Sequence, residues 1–550
     1  MKRVTIDVGL LVLAAAGCRV ENAELQRGAN AINAADLAQR IQVLAADSLE
    51  GRAPSSPGEE KTIRYLVDQF RQLGLKSGSG EDYLQQVPMV ALTADHNMTL
   101  TIQGKGKATS LTYGDQFVAF TSRVAERTGL QGSDLVFAGY GIVAPEYGWN
   151  DFAGTDVKGK TIVVLVNDPG FATGDTSLFK GHTMTYYGRW TYKYEEAARQ
   201  GAAGVLIVHE TAPAAYPWDV VKDSWSGPRF MLENPDNMSR AAVEGWITVD
   251  VARQLFQDAG MNYDSLKARA AQRGFKAVPL GLKASLAVHS TIRRSTSHNV
   301  LAVLPGTTRA DEYVIYMAHW DHFGRDTTRQ GDQIFNGALD NASGTAGLLE
   351  LAKAYAALER NPARSVLFLA VTGEEQGLLG SQYYATHPVY PLNKTVAAIN
   401  MDGLDIYGPM RDITVIGYGN SELDDYVTEA AKAQNRVVRP DAEPEKGFYF
   451  RSDHFSFAKV GVPALDPEAG INSVAHGEEW GRQQRDEYTA QRYHKPSDEY
   501  DPHWDLSGAV DDLRLLFRVG YQLATNPVFP NWRAGSEFKA KRDSMMAGAR

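Results

Sequence analysis

The spacing of apolar residues changes along the chain, and each change predicts a different kind of element. Near the start, Leu37, Ile41 and Leu44 recur at helical spacing behind Asn33, a residue suited to cap a helix. Ser56-Pro57-Gly58-Glu59 reads as a capping box with proline in the first turn. Ile63, Leu66, Val67, Phe70 and Leu73 then line one face until Gly74 stops the helix. From Tyr83 to Phe120 the pattern shortens to alternating runs such as Met98-Thr99-Leu100-Thr101-Ile102. The stretch Leu135–Leu282 holds two apolar strands, Thr161–Val166 and Gly204–Val208, with a helix over Lys193–Gln200 between them. It is expected to form a separate module with its own small sheet. From His298 onward, apolar runs at Val314–Ala318, Val366–Val371 and Val396–Met401 alternate with helical stretches. Leu348, Leu349, Ala352 and Tyr355 mark the helix after the first run. Alternation of this kind predicts an α/β fold, doubly wound, with a mostly parallel sheet and helices on both faces.

The ends of these three runs carry the chemistry. The first leads into His319-Trp320-Asp321-His322, the second into Thr372-Gly373-Glu374-Glu375, and the third into Asp402. In open α/β sheets the site lies beyond the carboxyl ends of the strands, so three distant segments deliver metal-ligand types to one edge. Asp340 adds a fourth, in a turn that opens the next helix, and His494 a fifth, in Tyr493-His494-Lys495-Pro496-Ser497-Asp498. Imidazole and carboxylate suit zinc. One carboxylate can bridge two ions about 3.5–4 Å apart, as in two-metal hydrolytic centres. A second carboxylate, free of metal, must carry the proton from water to the leaving group. The adjacent Glu374 and Glu375 can divide those tasks. The expected cofactor is a pair of zinc ions and the expected substrates are peptides.

Length and charge narrow the reading further. A chain of 550 residues is too long for one simple core. Its net charge of −10 gives no basic face, which excludes nucleic acid as a partner. Lys2 and Arg3 precede a short apolar run, Val8–Ala16, that ends in Ala15-Ala16-Gly17-Cys18. This predicts an exported protein with a signal peptide over residues 1–18, of lipoprotein type, and a lipid anchor at Cys18 as its one link to a membrane. The alternatives are a plainly cleaved signal peptide without a lipid and no export; the expected location is the periplasm or outer membrane, with secretion as the alternative. Cys18 is the only cysteine, which excludes a disulfide framework.

With these motifs together, the chain resembles the di-zinc metallopeptidase family of bacterial secreted aminopeptidases, glutamate carboxypeptidases and transferrin-receptor-like proteins (peptidase family M28). Ala318-His319-Trp320-Asp321-His322, Gly337-Ala338-Leu339-Asp340-Asn341, Gly373-Glu374-Glu375 and Tyr493-His494-Lys495-Pro496 carry the resemblance. Ser452-Asp453-His454-Phe455 and Gly461-Val462-Pro463-Ala464 add a further block. The resemblance implies that His319 and Asp402 hold one zinc, Glu375 and His494 the other, and that Asp340 bridges them. It implies that Asp321 orients His319, that Glu374 is the general base, and that Tyr449 helps stabilise the oxyanion. Leu135–Leu282 resembles a protease-associated domain, through Ala138-Gly139-Tyr140-Gly141-Ile142, 157–164 and 197–208. The implied organisation is an N-terminal part of the peptidase domain over 30–130, the inserted β-rich domain over 135–282, and the zinc peptidase domain over 298–526.

The activity expected from the resemblance is release of N-terminal residues from peptides. A carboxypeptidase or dipeptidase of the same fold, a glutaminyl cyclase and a catalytically silent receptor-like protein are the alternatives. Arg451 is the candidate that a carboxypeptidase would present to a substrate carboxylate. The segment Gly470–Arg485 is expected either to overhang the site or to be a solvated surface loop.

Overall fold

The computed structural model describes residues 22–225 and 227–548, so Cys18 and the apolar run before it lie outside the described residues. The chain forms two compact units. Among the described residues, the first comprises 22–87, 296–441 and 452–548, and the second those within 88–295 and 442–451. Among the described residues, no helix is long and apolar enough to cross a membrane.

The first unit is a mixed α/β layer structure. Its strands are β1 (Val278–Leu304, of which 296–304 belong to this unit), β2 (Arg309–His319), β3 (Arg364–Val371), β4 (Thr395–Asn400), β5 (Asp412–Ile416), β6 (Val437–Pro440) and β7 (Ala464–Ala469). The spatial order is β1-β3-β2-β4-β7-β5-β6. The centre, β3-β2-β4-β7, is parallel, while β1 and β5 join it antiparallel. The central strands are apolar on both sides for a physical reason: each side has its own core. Val314, Tyr316 and Ala318 of β2 pack into one, and Ile315 and Met317 into the other.

Helices cover these cores. They include α1 (Ala34–Leu44), α2 (Pro57–Gln72), α3 (Gly344–Ala356), α4 (Leu423–Ala433), α5 (Glu478–Gln491) and α6 (Ser507–Thr525). Asn33 caps α1 by accepting from the amide of Asp36. Ser56 caps α2 by accepting from Gly58 and Glu59. The capping box expected there is not closed on Ser56, because the Glu59 carboxylate accepts from the amide of Ser55 instead. The same carboxylate takes Ser297 Oγ at 2.7 Å and His298 Nδ1 at 2.8 Å. Gly520 lets α6 lie against β2: a Cβ there would fall 1.8 Å from the Tyr316 hydroxyl. That hydroxyl instead donates to Leu516 O at 2.8 Å. The part of Gly470–Arg485 from Glu478 onward is helical, as the first turns of α5, rather than a loop.

The second unit has its own sheet. Thr161–Leu165, Gly204–His209 and Val243–Thr248 run parallel side by side. Arg127–Phe137 lies parallel to the first of these, and Phe117–Phe120 antiparallel to the last. The hairpin Thr99–Gly104 and Lys107–Thr112 joins through the first part of β1, where Ile102 faces Ala284. Helix Trp190–Arg199 occupies the stretch expected to be helical between the two apolar strands. Its Tyr194 and Ala197 share a core with Ile162, Val164, Val205 and Ile207.

Candidate metal centre

β2, β3 and β4 stop at His319, Val371 and Asn400, and the chain beyond each end turns into the ligand-type residues. Because β2 lies between β3 and β4 in parallel register, all three turns emerge on one edge. The loop Ala338–Ser343 brings Asp340 to the same edge, and a glycine makes this fit. A Cβ on Gly344 would lie 2.2 Å from Asn341 Oδ1. That oxygen instead accepts from the amides of Gly344 and Gly403, while Asn341 Nδ2 donates to Met401 O. Asn341 thereby ties the Asp340 loop to the Asp402 loop.

Within this unit the five expected ligands converge. His319 Nε2 lies 3.0 Å from Asp402 Oδ1 and 3.3 Å from Asp340 Oδ1. His494 Nε2 lies 3.2 Å from Asp340 Oδ2 and 3.3 Å from Glu375 Oε2. The two oxygens of Asp340 therefore face two different groups. Ligands placed about 2.05 Å from one tetrahedral zinc stand about 3.3 Å apart, so these separations suit two ions sharing Asp340. Donor atoms of His319, Asp340 and Asp402 all lie within 4.8 Å of one another, as do those of His322, Asp340 and Glu375. His322 was visible in the motif but had no role from sequence. Its Nδ1 is 2.6 Å from Glu375 Oε1. That is short for two ligands of one ion, and the pair does not form a hydrogen bond.

The charges are arranged for cations. Burial works to lower the His319 pKa, but Asp402 and Asp340 outweigh it and hold His319 well above the usual range. Burial works to raise Asp340, yet bonds from His319 and His494 keep it well below the usual carboxylate range. Burial pushes Glu375 well up, reinforced by Asp340, Glu374 and Asp321. A buried acidic group held this way is stabilised by metal cations.

The remaining expected residues are placed as follows. His319 Nδ1 is 3.1 Å from the main-chain oxygen of Asp321 and 3.9 Å from its carboxylate. The main-chain oxygen is thus the nearer partner, and the Asp321 carboxylate accepts from the amide of Glu374 at 3.2 Å. Glu374 stands half-buried beside the ligands. Burial raises its pKa well above the usual value, helped by Asp402, Asp453 and Asp340 and opposed by His319. Tyr449 lies in the helical turn Phe448–Phe450 and belongs to the second unit, with its ring 5.4 Å from that of Phe450. Arg451, also in the second unit, donates to Lys446 O and stacks over Phe448.

Supporting residues had weaker signals in the sequence. Ser452 Oγ donates to Asp402 Oδ2 at 2.6 Å and accepts from Asn400 Nδ2 at 2.7 Å. Asp498 accepts from the amides of Leu339 and Asp340 and from the Tyr488 hydroxyl. Both residues sit in motifs already singled out, Ser452-Asp453-His454-Phe455 and Tyr493–Asp498, where their polarity was the only clue to a bracing role.

Comparison with known proteins bears on the same region. Aminopeptidase NAALADL1 of Mus musculus is 35% identical over 129 residues, which are 22% of this chain and 16% of that protein. A glutamate carboxypeptidase 2 homolog of Caenorhabditis elegans is 34% identical over 197 residues, 34% of this chain and 24% of that protein. The chain thus spans a quarter or less of the length of these relatives. An aminopeptidase from Aneurinibacillus sp. strain AM-1 is a structural neighbour with 20% identity and a TM-score of 0.49, covering 92% of this chain and 97% of that one. Residues 299–517, which include all five converging ligands, match the model of peptidase family M28.

Proposed function

We propose that the chain is an exported two-zinc aminopeptidase that releases single residues from the amino ends of short peptides. The observation that carries this reading is the division of Asp340, with one oxygen toward His319 and Asp402 and the other toward His494 and Glu375. Zinc ions held there supply acidification of the attacking water and polarisation of the scissile carbonyl. Glu374 takes the water's proton and returns it to the leaving amine. Its raised pKa suits it to hold that proton between the two events. Ser452 and Asn341 hold Asp402 and its loop in place, and Asp498 holds the loop of Asp340.

Charge favours the amino end. Asp321, Asp340, Glu374, Glu375, Asp402 and Asp453 form one interacting acidic group. An acidic group of this kind around the centre favours a substrate ammonium over a terminal carboxylate. N-acetylation of a peptide substrate is expected to abolish cleavage. Comparing kcat/KM for free and N-acetylated peptides checks this. Efficient release of C-terminal residues from acetylated peptides would replace the reading with a carboxypeptidase, a name that one relative also bears.

Residues 135–282, within the second unit, are read as a protease-associated domain. Export rests on the residues preceding and including Cys18. In a bacterial host, Cys18→Ser is expected to leave the membrane fraction or fail processing. Unchanged fractionation and maturation would exclude a lipid anchor at that residue.

A further inference from the structure

Arg52 is 1% exposed and lies behind the metal centre, in no motif discussed so far. Its guanidinium donates from Nε to Trp320 O at 2.9 Å and from Nη2 to Gly337 O at 2.9 Å. Nη1 donates to Leu44 O and Asn336 O, both at 2.6 Å. All four acceptors are main-chain carbonyls. Trp320 lies between His319 and Asp321, and Gly337 lies three residues before Asp340. One side chain is therefore bonded at once to the turn that delivers His319 and to the loop that delivers Asp340. Its own carbonyl accepts from the amide of His322 at 3.3 Å.

The local backbone is shaped to put it there. Glu50, Gly51 and Arg52 all have positive φ, at 52°, 67° and 52°. L residues adopt this region at a cost, so surrounding contacts must hold it. At Gly51 a Cβ would meet Gly324 O at 2.4 Å and Phe335 O at 2.6 Å, so only glycine brings the turn this close. A buried guanidinium with no carboxylate at its fork is costly to desolvate. Burial lowers the Arg52 pKa to about 10, and the charges that support it are those of Asp321, Asp498, Asp340 and Glu375.

We propose that Arg52 is a positioning residue of the metal centre: its fork fixes the His319 turn against the Asp340 loop, and so sets the affinity for the paired ions. This rests on the two-metal reading of the centre. The argument is one of shape more than of charge. Lysine would keep the charge, but its compact ammonium cannot span four carbonyls that point at a planar fork. R52K therefore separates the two. Loss of a residue that orients metal ligands costs on the order of 10–100-fold in metal affinity.

The test uses the full chain. Zinc affinity is measured by competition with a chelator, and the visible spectrum is recorded after cobalt substitution, for wild type, R52K and N336A. Asn336→Ala serves as the control, because it removes the side-chain ties from Nδ2 to Ala45 O and Asp47 Oδ1 while keeping the main-chain oxygen that the fork uses. R52K is expected to bind zinc on the order of 10–100-fold more weakly with an altered cobalt spectrum. N336A is expected to match wild type in both. R52K with wild-type affinity and spectrum overturns the proposal, as does an equal loss in N336A. If R52K does not fold, hydrogen exchange on wild type decides. Zinc loading must protect amides at Gly51–Ala53 together with Trp320–His322 and Gly337–Asp340. Protection of the latter two alone overturns the proposal. Wild type that binds no zinc would remove the two-metal reading itself, which is a different outcome.

Discussion

Glu374→Gln is expected to lower kcat by roughly 10²–10⁴-fold, the usual contribution of a general acid–base group, while zinc content stays at the wild-type level. The geometry separates Glu374 from its neighbour. Glu375 points an oxygen at His494 Nε2 and the other at His322. Glu374 is joined to the site through its amide, which the Asp321 carboxylate holds. Its carboxylate is thus placed among the ligands without being spent on them. Glutamine preserves size and the amide bond to Asp321 but cannot accept a proton. KM should change little, because the lost interaction develops in the proton-transfer step. Glu375→Gln should differ in kind by losing metal affinity as well. Elemental analysis and steady-state kinetics on both variants check the division. Near-normal turnover in Glu374→Gln, or zinc loss equal to that of Glu375→Gln, would show the two roles to be misassigned.

What the sequence revealed and what it hid follow from where each contact is made. β2, β3 and β4 were legible because both their faces are buried, which requires unbroken apolar runs. Their ends were legible as a site because ligand types follow each run directly. Contacts from side chain to distant main chain left no such trace. Arg52 reaches Trp320 across 268 positions and Gly337 across 285, and its partners are carbonyls that every residue possesses. Glu59 shows the same limit. Its spacing from Ser56 fits a capping box, yet its carboxylate accepts from the amide of Ser55 and from Ser297 and His298, the last two more than 230 positions away. Asp321 is subtler. The resemblance implies that it orients His319, and the nearer of its oxygens to Nδ1 is the main-chain one at 3.1 Å, while its carboxylate accepts from the amide of Glu374. Helix α5 was missed because only Gly481 of its residues is buried, so no apolar stripe marks it.

Asp340→Ala should have the largest effect of any ligand substitution, because Asp340 alone faces both groups. Asp402→Ala removes a partner from His319 only, and His494→Ala removes one from Glu375 and Asp340 only. Those variants should each keep one ion more firmly than the other. Asp340→Ala should weaken both together, with activity falling by on the order of 10³-fold or more, several kcal/mol of lost electrostatic assistance. The fold loses the bonds from His319 and His494 to the Asp340 carboxylate but keeps the main-chain ties of the loop. The amide of Asp340 would still donate to Asp498, and Asn341 would still bridge to Met401 and Gly403. Removing one carboxylate from a buried acidic group also relieves repulsion on Glu374 and Glu375. That relief is set against loss of the bonds from His319 and His494 to Asp340, so metal-free wild type and metal-free Asp340→Ala each serve as their own baseline. The stabilisation that zinc adds to the wild type grows as the logarithm of its concentration over Kd, and should be largely absent in the variant. Paired melting curves with zinc and with chelator give both quantities. A zinc-dependent shift of wild-type size in Asp340→Ala would mean that the ions do not share this residue.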